Sequence, residues 1–193
     1  MAPEEYLELD RQSEFRNEYA FGEMVAMAGG SPTHSRIAAN LVLAVGRRLE
    51  GTRCEFFESS LRVCVDDRSF YAYPDFTVVC GDLKFIDSRR DTITNPKLVA
   101  EVISPSTRDY DLGSKARMYA RVASLDEILL IEQDRVQVER WQRQPNQQWT
   151  VSNTSGIDAV LNLSVIGCEV PLSEIYRNVT FETTVGTDAP AAS

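Results

Sequence analysis

The order of patterns along this chain predicts a single α/β domain that opens with a helix and a hairpin. Leu98 to Ile103 and residues 128–131 are short, nearly unbroken apolar runs of the kind that form strands buried on both faces. From His34 the apolar positions Ile37, Leu41, Ala44, Val45 and Leu49 recur at helical spacing, and a second helical period begins after Ser104-Pro105. With 193 residues, 43% of them hydrophobic, the chain can bury one sizeable core, whereas two domains would each be small. The domain is expected over residues 1–182, with a disordered Thr/Ala-rich tail over 183–193.

Pro3–Gln12 has the proline-then-acid start of a short surface helix, with Tyr6 and Leu9 as its apolar residues. Residues 15–27 alternate loosely about Ala20-Phe21-Gly22, as a hairpin does. Gly29-Gly30-Ser31-Pro32-Thr33 is a turn that delivers a cap to the helix carrying His34. Strands are expected over 54–65 and 70–80, separated by the polar turn Asp66-Asp67-Arg68-Ser69. Pro74 has no amide hydrogen, so the second strand should be irregular beside Asp75.

A charged loop over 81–96 leads into the strand 97–103, which Ser104-Pro105 ends. Ser106 or Thr107 then caps a helix to residue 123, whose buried stripe is Leu112, Ala116, Tyr119, Ala120 and Ala123. Lys115 falls on that stripe, aimed at the sheet. A strand at 128–131, a hairpin of 136–143 with 149–153, a strand at 160–165 and a helical turn at 171–176 complete the reading.

The net charge of −9 argues against a general nucleic-acid coat protein, which would carry a basic balance. Residues 1–23 hold seven acids against Arg11 and Arg16, so −5 of that total lies in one short segment, which could mask a cleft or mediate self-association. Cys54, Cys64, Cys80 and Cys168 show no C-x-x-C spacing and read as buried free thiols. Neither an apolar run near 18 residues nor a basic-then-apolar leader is visible, and a cytoplasmic location is the expectation.

Chemistry concentrates between Tyr71 and Lys115. Glu101 interrupts an apolar strand, where an unpaired carboxylate would cost several kcal/mol, so it needs a proton, a cation or a metal. Asp75 poses a milder form of the same question on what reads as the neighbouring strand. Two carboxylates with a lysine over the same edge suit Mg²⁺, with Mn²⁺ as a substitute, because Mg²⁺ takes a few carboxylate oxygens and keeps several waters. Asp75 and Glu101 are the candidate ligands, joined by the main-chain carbonyl near Val102, and Lys115 would orient a water or offset charge on a phosphoryl oxygen. The reaction this fits is phosphodiester hydrolysis.

Tyr73-Pro74-Asp75, Glu101-Val-Ile-Ser-Pro-Ser-Thr107, and Asp111-x-x-x-Lys115-x-x-x-Tyr119 together resemble the Uma2 family of restriction-endonuclease-type proteins, formerly a domain of unknown function. The likeness extends from about residue 15 to 176, including Gly22-Glu23, His34, Cys80-Gly81 and Leu172-x-x-Ile175-Tyr176. Its superfamily, the PD-(D/E)XK nucleases, implies a restriction-endonuclease-like mixed central sheet flanked by helices. It also implies DNA as substrate, Asp75 and Glu101 as metal ligands and Lys115 as the catalytic lysine. One position departs from the superfamily pattern: the lysine normally stands two residues after the second acid, where this chain has Ile103. Cutting both strands of a duplex would favour a homodimer. The alternative is an inactive nuclease-like fold acting as a binding or regulatory module.

Plainer readings stand beside these. Glu101 and Lys115 could form only a buried ion pair, though apolar replacements of such pairs are often as stable. Asp75 could be a turn acid after Pro74, and Lys115 could merely pair with Asp111. His34, the chain's one histidine, fits an ordinary packed residue better than a substrate contact, and Glu23 fits a solvated acid better than a metal ligand. Lys84, Arg89, Arg90 and Arg108 could touch phosphates, but singly each reads as surface charge. Trp141 and Trp149 suggest cross-strand packing.

Overall fold

The computed structural model describes residues 1–181 apart from 28, 66 and 106; the tail expected at 183–193 lies outside these. Helix α1, Pro3–Gln12, has proline in its first turn followed by Glu4 and Glu5, and it buries Tyr6, Leu7 and Asp10 while Leu9 stays exposed. Strands β1, Asn17–Ala20, and β2, Glu23–Ala26, form the expected hairpin. Phe21 and Gly22 turn it with φ of 49° and 96°, the two positive values a type I′ turn requires. Helix α2, Pro32–Leu49, begins where the Ser31 side chain accepts the His34 amide at 3.0 Å. Every residue of its expected stripe, Ile37 through Leu49, is buried.

The two long strands expected at 54–65 and 70–80 each break in the middle. Their halves are β3, Cys54–Glu58, and β4, Arg62–Cys64, then β5, Phe70–Ala72, and β6, Phe76–Cys80. The pairing is still that of a hairpin, β3 with β6 and β4 with β5, but the hairpin bends from one sheet into another. On the second strand the bend falls at Tyr73-Pro74-Asp75, where proline cannot donate to a ladder. The loop that follows contains a short strand, β7, Thr92–Ile93, which sequence periodicity did not reveal.

Strand β8, Leu98–Ile103, leads to a π-helical turn, Tyr110–Lys115, and then to α3, Ala116–Tyr119. The helix thus ends earlier than residue 123: Ala116 and Tyr119 of the expected stripe are buried and Leu112 and Ala120 half-buried, whereas Ala123 lies beyond the helix end and is exposed. The chain continues through β9, Glu127–Glu132, β10, Gln137–Arg143, β11, Trp149–Ser155, β12, Val160–Leu163, β13, Cys168–Pro171, and α4, Leu172–Ile175.

The central sheet has the order β11-β10-β9-β8-β6-β3 and is mixed, since β8 and β9 run parallel and the other neighbours antiparallel. A second sheet has the order β2-β1-β5-β4-β7. Alternation along β8 divides the interior. Leu98, Ala100 and Val102 pack toward α2 with Phe76, Val78 and Leu129. Val99 and Ile103 pack on the other face with Phe70, Ala116, Tyr119 and Ile128. Trp141 and Trp149 pack against that second cluster, and the Arg143 guanidinium, opposite Trp149, stacks over it at 4.6 Å.

The cysteine expectation needs correction. Cys54 and Cys80 face each other across β3 and β6 and form a disulfide, whereas Cys64 and Cys168 remain thiols. Sequence spacing could not show this, because the pairing follows from strand register. Among the described residues no helix is long and apolar enough to cross a membrane.

Candidate active site

Glu101 lies on the β8 face opposite α2, and only 6% of the residue is exposed. Two side chains from the following helical segment meet its Oε1: the Tyr119 hydroxyl donates at 2.5 Å and the Lys115 ammonium lies at 2.9 Å. Their four-residue spacing puts both on one side of the helix. Lys115 has a second partner that sequence reasoning missed, Glu18 of β1, whose Oε1 is 2.8 Å from the ammonium. A signal was available, since Glu18 sits among strand-forming residues as Glu101 does, although it also belongs to the acidic surplus of the first 23 residues. Those residues are no detachable mask, because β1 pairs with both β2 and β5.

Asp75 comes one residue before β6. In the antiparallel register Phe76 faces Ala100, so extending it one step sets Asp75 opposite Glu101. Asp75 Oδ2 accepts the Val102 amide at 2.7 Å, and His34 Nε2, at the start of α2, lies 3.1 Å from the same oxygen. His34 is therefore part of the site and not only a packed residue. The Val102 side chain points to the opposite, α2 face.

Asp111 is buried beside this group, its carboxyl pushed up by burial and partly held down by Lys115. Lys115 is not merely the partner of Asp111, because its ion pairs run to Glu18 and Glu101. Ile103 is packed in the core, so the amine reaches the acids from the helix and not from the strand. Glu23 is exposed on β2, and Arg108 is engaged by Glu132 and Asp134. Arg89 is exposed near Glu8, and Arg90 lies over Phe85.

Four carboxylates, Glu18, Asp75, Glu101 and Asp111, thus surround one ammonium and one imidazole. Burial pushes Glu101 up to about 8, Lys115 opposing and Asp75 and Glu18 adding to the rise. Burial alone would depress Lys115, but Glu101, Glu18 and Asp111 outweigh it and hold the ammonium well above its ordinary value. The hydrogen bond to Asp75 raises His34 against its burial.

The residues fit a divalent cation on two counts. Negative charge is in excess, and among the described residues no hydrogen bond falls on Asp75 Oδ1 or Glu101 Oε2, since the partners above all use Oδ2 and Oε1. Among the described residues no three His, Cys, Asp or Glu side chains form a ready-made cage. Mg²⁺ does not need one, because it keeps several waters.

The family model of Uma2, described as "Putative restriction endonuclease", matches residues 3–173. This chain belongs to the Uma2 family. Two similar relatives are uncharacterized proteins of Synechocystis sp. One, slr1290, is 34% identical over 183 residues, covering 94% of each chain. The other, sll1609, is 32% identical over 160 residues, covering 83% of this chain and 90% of its own. A solved structure from Anabaena variabilis, described as a "putative nuclease belonging to DUF820", superposes with a TM-score of 0.75 at 16% identity. It covers 91% of this chain and 97% of its own, so the Uma2 chain has this nuclease-like fold throughout most of its length.

Proposed function

We propose that this Uma2 protein is a metal-dependent endonuclease that hydrolyses phosphodiester bonds of DNA, with Asp75 and Glu101 as metal ligands and Lys115 as the catalytic lysine. The observation that carries the reading is the Lys115 ammonium 2.9 Å from Glu101, which supplies from the helix the amine that Ile103 cannot. Asp75 Oδ1, Glu101 Oε2 and the Val102 carbonyl would hold the cation. When bound there, Mg²⁺ or Mn²⁺ would polarise a phosphoryl oxygen and acidify a coordinated water.

The chain's own residues divide the remaining work. Lys115 stays protonated among its carboxylates, so it acts as a fixed positive charge toward a pentavalent phosphate and not as a base. Tyr119 and Glu18 hold the two ends of that charge network, Tyr119 on Glu101 and Glu18 on the ammonium. The walls of Val99, Ile103 and Phe70 exclude water behind it and strengthen each interaction.

Incubating purified protein with plasmid DNA and Mg²⁺ or Mn²⁺ tests the proposal, alongside Asp75→Ala, Glu101→Ala and Lys115→Met. Metal-dependent nicking abolished by each substitution is expected. Nicking that survives all three, or its absence at every metal concentration, refutes it and leaves a binding or regulatory module. Linear product at low enzyme would point to paired sites in a homodimer.

A further inference from the structure

Building on that proposed metal site, we infer that His34 is the positioning residue that aims Asp75. Its Nε2 lies 3.1 Å from Oδ2 and the Val102 amide donates to the same oxygen at 2.7 Å, which leaves Oδ1 without a hydrogen bond among the described residues. A free carboxylate rotates about its terminal bond; one pinned on a single oxygen from two directions does not. The two donors come from different elements, the first turn of α2 and strand β8, so the carboxylate's orientation is set by how helix and sheet pack.

The imidazole is itself held. The His34 amide is caught by the Ser31 side chain at 3.0 Å, and the Ser31 hydroxyl donates in turn to Gln133 Oε1 beyond the end of β9, also at 3.0 Å. On the ring's other side is Gly30, where a Cβ would stand 2.8 Å from Nδ1. Gly30 is not among the residues with positive φ, so the ring and not the turn makes glycine necessary there. The side chain remains 23% exposed, which packing alone would not favour, but its polar edge is turned inward to the carboxylate.

Calorimetric titration with Mn²⁺ alone tests the inference on wild type, Asp75→Ala, His34→Ala, His34→Gln and Gly30→Ala, with thermal midpoints measured in parallel. The expected result is a roughly 10- to 100-fold weaker Mn²⁺ affinity for His34→Ala. His34→Gln, which can still donate to Oδ2, should recover most of it at a similar midpoint, and Gly30→Ala, which displaces the ring, should weaken binding. The inference is overturned if Asp75→Ala abolishes binding while His34→Ala binds as tightly as wild type or more tightly. It is equally overturned if His34→Gln is as weak as His34→Ala. Should His34→Ala not fold, Gly30→Ala decides in its place, unchanged affinity overturning the inference. Wild-type affinity in Asp75→Ala would instead refute the metal site on which both readings rest.

Discussion

Replacing Lys115 by methionine removes one positive charge from between two buried carboxyl groups, those of Glu18 and Glu101, while keeping much of the side-chain volume. Lys115 and Glu101 are 5% and 6% exposed, and Glu18 is 8% exposed, so little water can take over the lost interaction. Removing one partner of a buried pair typically costs about 3 to 5 kcal/mol. Over a denaturant slope of about 2 kcal/mol per molar, 3 kcal/mol lowers the urea midpoint by roughly 1.5 M. The loss should also depend on pH in a direction that the site dictates. With its pKa near 8, folded Glu101 carries its proton in both proteins at pH 6 to 7, and their difference stays constant there. Above pH 8 wild-type Glu101 ionises against the ammonium, whereas the variant must keep the proton, so the gap widens by up to about 1.4 kcal/mol per pH unit. Urea unfolding with a chelator at pH 6, 7, 8 and 9 measures this, and Lys115→Met combined with Glu101→Gln should abolish the widening. A difference at or below about 1 kcal/mol at every pH is what an exposed pair gives, and would refute the buried-network reasoning.

Other expectations follow from neighbouring parts of the fold. Asp10→Ala should cost about 3 to 5 kcal/mol in urea unfolding, because buried Arg62 would lose its 2.7 Å carboxylate partner and Tyr73 would lose a 2.6 Å acceptor. Deleting residues 1–23 should abolish the cooperative transition in calorimetry, since it removes β1 from within its sheet as well as Glu18. Glu127 is buried, its Oε2 has no hydrogen-bond partner among the described residues, and burial raises it to about 7 against Arg140. A raised folded pKa means that its contribution is complete below the unfolded value near 4.5 and is lost as pH rises through 7. Glu127→Gln should therefore remove about 3 kcal/mol of pH-dependent stability across that window, read as the changing gap between variant and wild type. Reduction, or Cys54→Ser, should lower stability by about 3.5 kcal/mol, the loop-closure value for a cross-link with a separation of 26 residues; an unchanged midpoint would mean that the unfolded chain is not constrained by it.

What could be read in advance was whatever short-range pattern dictates. The bounds of α1, the cap and stripe of α2, the Phe21-Gly22 turn and the limits of β8 all follow from residues within a few positions of one another. Pro74 likewise announced a break, because a missing amide is a local property. Asp75 and Glu101 were legible for a related reason: a carboxylate in an apolar strand is a local contradiction. The failures are all register or distance. Nothing near Cys54 indicates that Cys80 stands opposite it. Nothing near Glu18 indicates an ammonium 97 residues later, and the bending of the long hairpin into two sheets depends on what each half packs against. The His34 contact was not legible because helical register says nothing of which atom a polar edge meets, and the side chain is only partly buried.

At residue 103 a lysine would rise from the same strand as Glu101, two residues away on the same face, and its reach would be limited to that strand's neighbourhood. Delivered from the end of a π-helical turn, the ammonium instead bridges Glu101 on the central sheet and Glu18 on the second sheet. Asp111 and Lys115, four residues apart on this turn, are both buried. Moving the amine to the helix therefore changes more than its address. It couples the two sheets through one charge, keeps that charge protonated between acids, and frees position 103 for the isoleucine that closes the core beneath. In such an arrangement the lysine's distance from Glu101 is governed by the packing of the helix, so substitutions at Met118 or Val122, which seat that helix, should disturb the site without touching it.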